Sequence, residues 1–433
     1  MSIAFTLLLV CLVLASGLAT HDGPAARSLI EALAVVALAS LGISARATDI
    51  SFVGRSTQGL KIAAAIPAIW MLVQLLPTPI GAHSIWAYVN EVLAQQSWGH
   101  ISIDLGRTIL ALAFYLANIS LTLVTIFVAR DRRRAEQILS ALAAIATITA
   151  LGLLAGKWTL IASAVNNAVL AGVSALGILL SLASGLRTIE RYEKGGEKPE
   201  TGVQNISTAL SGVGLMVGIV GLSAGATLNV GLTTIFGIAT FASVQAIRRA
   251  SLPNWAALML FATMLVAAAM IVLWRYDPTR ALSPFLQFAT ASSADAISVT
   301  QRMLSDASWL GAGAGTFTAL LPLYQDLGGS VTQPPSTLSA LALELGWPMA
   351  LFAIAIAIWL AVILYRGALT RGRDSFYPAA AAAGVVTILA EAFCDSSLLN
   401  SCVAVIIGWS GWDWHKRSAA GIVRRSSSTH CES

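Results

Sequence analysis

The chain is a succession of apolar runs of about 20 residues, the length that carries an α-helix across the hydrocarbon core of a bilayer. Such runs stand near 2–20, 28–45, 61–79, 105–129, 138–156, 166–186, 204–226, 229–247, 255–274, 345–365, 376–394 and 397–414. They predict an all-α, polytopic integral membrane protein with about 12 transmembrane helices. Composition agrees. Hydrophobic residues make up 57% of the 433 and charged residues 11%, against roughly 45–50% and about 25% in soluble proteins. A water-soluble globule of this composition would expose large apolar areas, which excludes a cytosolic enzyme, a secreted domain and a disordered chain. Cys11, Cys394, Cys402 and Cys431 have neither metal-ligand spacing nor a framework within one loop, so neither zinc nor a disulfide scaffold is supported; no metal and no cofactor is expected. The first run lacks a basic leader and precedes many others, and therefore reads as a retained helix rather than a signal peptide.

Basic residues set the orientation, because Lys and Arg accumulate in cytoplasmic loops. With a cytoplasmic N-terminus, the inner loops hold Arg46, Arg55, Lys61, Arg130, Arg132, Arg133, Arg134, Arg187, Arg191, Lys194, Lys198, Arg248, Arg249, Arg366, Arg371, Arg373, Lys416, Arg417, Arg424 and Arg425. That is 20 of the 26 Lys and Arg residues. Arg27, Arg107, Lys157, Arg275, Arg280 and Arg302 remain outside. The sorting predicts that both termini are cytoplasmic and that the net charge of +5 serves topology, not nucleic-acid binding.

The runs divide the chain into a nine-helix region at 1–274 with a shorter external loop at 80–104, a large external loop at 275–344, three further helices at 345–414 and a solvated tail at 415–433. The large loop mixes helical periodicity with Trp309, Phe317 and Tyr324, so it is expected to fold into helices that cap a lipid-facing cavity. Ala296 to Ala307 has the spacing of an amphipathic helix, with Arg302 off its apolar face. The run Gly311-Ala312-Gly313-Ala314-Gly315 permits close backbone approach, to another part of the chain or to a phosphate. Pro334-Pro335-Ser336-Thr337 opens a helix with Ser336 as N-cap, and places Glu344 two turns along it, near the outer membrane surface.

External arginines suit phosphate oxygens, since the guanidinium is a planar fork that stays charged. Arg302, Arg275, Arg280 and Arg107 are the candidates, whereas Arg27 and Lys157 read as anchors to lipid head groups. Glu31, Glu391 and Asp395 lie within or at the ends of spans, where a carboxylate either serves function or pairs with a neighbouring helix.

Arg302, the block Trp309-Leu310-Gly311-Ala312-Gly313…Phe317, the segment Leu343-Glu344-Leu345-Gly346 and the late Asp395-Ser396-Ser397-Leu398 resemble the O-antigen ligase and O-antigen polymerase family of bacterial envelope proteins. The Leu75-Leu76-Pro77 corner and Ile101-Ser102-Ile103-Asp104 are similar to it as well. The resemblance implies a metal-independent GT-C-type glycosyltransferase of the bacterial inner membrane, with the large loop in the periplasm. It would take glycan from an undecaprenyl-pyrophosphate-linked donor and pass it to a lipid or glycan acceptor, as in lipopolysaccharide or other polysaccharide biosynthesis. It implies catalytic roles for Arg302 and Glu344 and a donor-binding place for Gly311 and Gly313; Arg275, Arg280, Arg107 and Tyr324 are further substrate-binding candidates from their place in the external segments. Two positions depart from the family. Where it usually carries a His, nine residues before the Glu, this chain has Pro335 and Ser336; its Ser-Arg-Gly is replaced by Ser223-Ala224-Gly225.

Proline can neither accept a proton nor donate a hydrogen bond, so the base must come from elsewhere. Glu344, His83 and His100 are the candidates. A non-catalytic subunit that binds the carrier lipid or scaffolds a polysaccharide-export complex is a second reading. A transporter of polyprenyl-linked sugar is a third, although the sequence shows none of the internal repeats common in transporters.

Overall fold

The computed structural model describes residues 2–18, 24–45, 51, 53–54, 58–78, 81–94, 98–158, 167–193, 201–225, 228–249, 259, 263, 283–289, 293–326, 331–370, 376–396 and 398. The predicted spans at 255–274 and 397–414, apart from residues 259, 263 and 398, lie outside these residues, as do the tail, Arg275 and Arg280. Among the described residues every regular element is helical, and the extended pairing is an isolated bridge between Pro77 and His100.

Ten long helices fall on predicted spans: α1 (Ser2–Leu18), α2 (Pro24–Ser44), α3 (Gln58–Leu75), α5 (Leu105–Val128), α6 (Arg132–Trp158), α7 (Asn167–Glu193), α8 (Thr201–Gly225), α9 (Leu228–Arg249), α13 (Trp347–Thr370) and α14 (Phe376–Cys394). Seven contain windows long and apolar enough to cross a membrane, in α2, α3, α5, α6, α9, α13 and α14. The other three carry shorter apolar stretches, Ile3–Leu14, Ala171–Leu186 and Ser211–Ser223. Short helices fill the links: α4 (Ile85–Leu93), α10 (Ala294–Asp306), α11 (Phe317–Tyr324) and α12 (Thr337–Glu344).

Small residues govern how the long helices approach one another, because lipid supplies no hydrophobic drive between them. Gly218 of α8 lies against Ile178 of α7, and Gly221 against Ala150 of α6. The alanine run Ala379 to Ala383 lets α14 pack among Ala361, Leu364 and Tyr365 of α13 and Val244 of α9. As a result 72% of the α14 window is buried, against 11% for α3 and 17% for α13. The α14 helix is central, and α3 and α13 keep broad apolar faces outward.

The two ends of the bundle differ. Lys61 and Arg130 to Arg134 lie at one end, where Arg134 stacks over the Phe5 ring at 6.0 Å. At the other end α3 finishes, α5 and α13 begin, and the described residues 283–289, 293–326 and 331–346 fold as a cap. The cap has its own core of Phe285, Leu286, Val299, Met303, Phe317, Leu320, Leu338 and Leu343. Phe285 packs on Trp347 of α13 with ring centroids 4.7 Å apart.

Candidate functional site

The local signals in the cap act as expected from sequence. Ser336 is the N-cap of α12: its hydroxyl accepts from the Ser339 amide at 3.1 Å, and Ser339 returns the bond to the Ser336 amide at 3.2 Å. That reciprocal box closes the helix start, and two turns on, it delivers Glu344.

There the Glu344 carboxylate meets the glycine run. Its Oε2 accepts from the Gly315 amide at 2.9 Å and its Oε1 from the Phe317 amide at 3.2 Å. These are free amides at the start of α11, where the helix dipole favours an anion. The rest of the run is engaged within the protein. Ala312 N–H donates to the Leu343 carbonyl at 2.9 Å and Gly313 N–H to the Glu344 carbonyl at 3.0 Å. Gly311 and Gly313 have φ of +86° and +109°. A side chain on Gly311 would strike the Glu344 carbonyl, and one on Gly313 would strike Ser102. Both glycines therefore pack the turn tightly against α12 and the start of α5.

Arg107 stands on the first turn of α5, capped by Asp104, whose carboxylate accepts the Arg107 amide at 3.0 Å and pairs with its guanidinium at 3.3 Å. The guanidinium also donates to the Thr318 hydroxyl, one residue beyond the Phe317 amide that holds Glu344. Arg27 comes from α2. Its guanidinium lies 5.9 Å from the Phe114 ring centroid and is near enough to act on the Glu344 charge. Burial raises the Glu344 carboxyl above its ordinary range, and the two amides and Arg27 only partly offset that. A carboxyl with a raised pKa is a better proton acceptor near neutrality than an ordinary one.

The other candidates lie apart from this cluster. Arg302 is exposed on α10, and its side chain makes no hydrogen bond or ion pair among the described residues. The Tyr324 hydroxyl bonds to Asp306; burial first, then the Asp306 charge, raises its pKa. His83 and His100 stitch the described strap residues 81–94 and 98–104 together. The His83 ring accepts from the Ile85 amide at 3.3 Å, and burial lowers its pKa. His100 Nδ1 lies 3.0 Å from the Leu75 carbonyl, so it donates there. Glu391 is wholly buried in α14 and both of its carboxylate oxygens lack a hydrogen-bond partner among the described residues. One turn on, the Asp395 carbonyl accepts from the Thr337 amide and hydroxyl at 2.8 and 2.9 Å.

Neither a protein-family model nor a curated protein matches the chain.

Three participants were not evident from sequence. Arg27, read as a lipid anchor, lies over the Phe114 ring and lowers the Glu344 pKa by its charge. Gln74 and Trp70, read as part of an apolar run, bond to residues 344 and 345 across 270 and 275 positions of sequence, at 2.9 and 2.8 Å. The sequence shows only a glutamine near the end of an apolar run, which by itself does not point to a partner.

Proposed function

We propose that the protein is an integral-membrane glycosyltransferase that takes glycan from an undecaprenyl-pyrophosphate-linked donor at the periplasmic face. One observation carries the reading: Glu344, held at the start of α11, shares the capped end of the bundle with Arg107 and Arg27. Departure of a pyrophosphate requires its growing charge to be neutralised, and fixed arginines supply that without a metal. Arg107 and Arg27 bring positive charge to the Glu344 end of the site, and Arg302 meets the donor from the cap. Glu344 takes the proton of the acceptor hydroxyl, the task left open by Pro335 and Ser336. The chain crosses the inner membrane 12 times with both ends cytoplasmic, which agrees with the sorting of its basic residues. A reporter fused after Ser433 that is active only in the periplasm contradicts this topology.

The two backbone bonds to Glu344 also favour a second reading, a non-catalytic subunit that binds the carrier lipid and uses the carboxylate as an internal brace. Surface glycans separate the two. Under the first reading Glu344→Gln loses glycan transfer while the protein inserts normally; under the second it leaves transfer intact.

A further inference from the structure

Gln74 is polar, fully buried, and placed on the last turn of α3, where nothing in an apolar span requires it. Both ends of its amide are used. Nε2 donates to the Leu310 carbonyl at 3.3 Å and to the Glu344 carbonyl at 2.9 Å. Oε1 accepts from the Ala314 amide at 3.2 Å. The Gln74 backbone carbonyl accepts from Ser102 at 3.2 Å. One turn earlier, Trp70 Nε1 donates to the Leu345 carbonyl at 2.8 Å.

These contacts converge on the two segments that define the site. Ala314 immediately precedes Gly315, whose amide holds the Glu344 carboxylate, while the Glu344 carbonyl is held directly. We infer that Gln74 is a positioning residue, which sets the Glu344 carboxylate against the Gly315 and Phe317 amides. The inference rests on the transferase reading above. Gln74 ties the proton acceptor to a membrane helix, so the carboxylate keeps its place even as cap residues adjust to a bulky glycan. An amide is required because it offers donor and acceptor at once. Methionine offers neither of comparable strength, and asparagine is one methylene short. An ionised carboxylate would face two carbonyls with no proton to give. Ionisable side chains at this end of the bundle include Glu344 on α12, Asp104 and Arg107 at the start of α5, Arg27 and Glu31 on α2, and His83 and His100 beside the end of α3; Lys61 of α3 lies at the opposite end of that helix.

The test uses the full-length protein in its own host, with the gene deleted and restored on a plasmid. Surface glycan is measured per unit of membrane-inserted protein for native, Gln74→Met, Gln74→Glu and Glu344→Gln forms. Gln74→Met is expected to lower transfer about tenfold or more, since displacing a reacting group by about 1 Å can cost on the order of 10²-fold. Gln74→Glu is expected to recover toward native output when the medium, and with it the periplasm, is at about pH 5.5, and to fall at about pH 8, because only a protonated carboxyl can donate to the Glu344 carbonyl. A purely structural defect would not follow pH in this way. Native output from Gln74→Met, or an equal deficit of Gln74→Glu at both pH values, overturns the inference. If Gln74→Met fails to accumulate, the two-pH comparison decides. Native output from Glu344→Gln overturns the transferase reading itself; loss in Glu344→Gln alongside native output from Gln74→Met overturns the positioning role alone.

Discussion

The Glu344 carboxylate accepts a hydrogen bond from the Gly315 amide at 2.9 Å, so the anion position offered by the glycine run is filled from within the chain. A phosphate would suit the same amides. The glycines thus bring a carboxylate against the start of α11; in the transferase reading the donor's charge is then left to the arginines.

The carboxylate also carries a pH signature. Its folded-state pKa is raised by burial, beyond what the Gly315 and Phe317 amides and Arg27 offset. A raised folded value means that its contribution to stability is fully present below the unfolded value and is lost as pH rises through the folded one. Native protein in lipid nanodiscs should therefore lose melting temperature relative to Glu344→Gln between about pH 4 and about pH 8. A difference that stays flat, or moves in the native protein's favour with rising pH, contradicts the assignment.

Gly313 has φ +109° and no room for a side chain beside Ser102. Gly313→Ala should cost about 1–3 kcal/mol, the range for a strained backbone position. Gly152, in the helical interior of α6, has nothing within 4 Å of the place a methyl group would take; there Gly→Ala should leave the melting temperature unchanged or slightly higher. Equal behaviour of the two variants in a thermal melt would remove the packing role given to Gly313.

Much of the scaffold was legible because the bilayer demands it. Runs such as 105–129 and 376–394 cannot satisfy their backbone in lipid except as helices, and α5 and α14 match them within a residue or so. Ser336 and the Ala296–Ala307 periodicity were legible as local signals for the same reason that caps and amphipathic faces are: their partners lie within a few residues. Arg27 and Gln74 were not. Their roles depend on which distant segment folds against them, and neither residue type at a span end distinguishes a lipid anchor or a stray polar group from a site contact. The glycine run was legible as a place of close approach, but whether a phosphate or Glu344 would fill it depended on the turn from α12.

Asp104 has two tasks, and they can be separated. Asp104→Asn keeps an N-cap acceptor for the Arg107 amide but removes the charge pairing, which for exposed groups contributes about 0–1 kcal/mol. Asp104→Ala removes both and should cost about 1 kcal/mol more through the lost cap. In the transferase reading Asp104→Asn lowers glycan output, because Arg107 loses the partner that aims it. Full output from Asp104→Asn with normal insertion would show that Arg107 needs no such support.

The central claim is that arginines at the capped end act on a pyrophosphate-linked donor. Its most direct measurement is the amount and chain length of surface polysaccharide on a gel, in cells lacking the gene and complemented with native, Arg107→Ala, Arg302→Ala or Arg302→Lys protein. Deletion should remove or shorten the polysaccharide and the native gene should restore it. Arg107→Ala and Arg302→Ala should each reduce transfer by on the order of 10²–10³-fold at unchanged membrane insertion, with Arg302→Lys less impaired because it keeps the charge but not the planar fork. Polysaccharide unchanged by the deletion, or restored to native length and amount by both alanine variants, would contradict the claim.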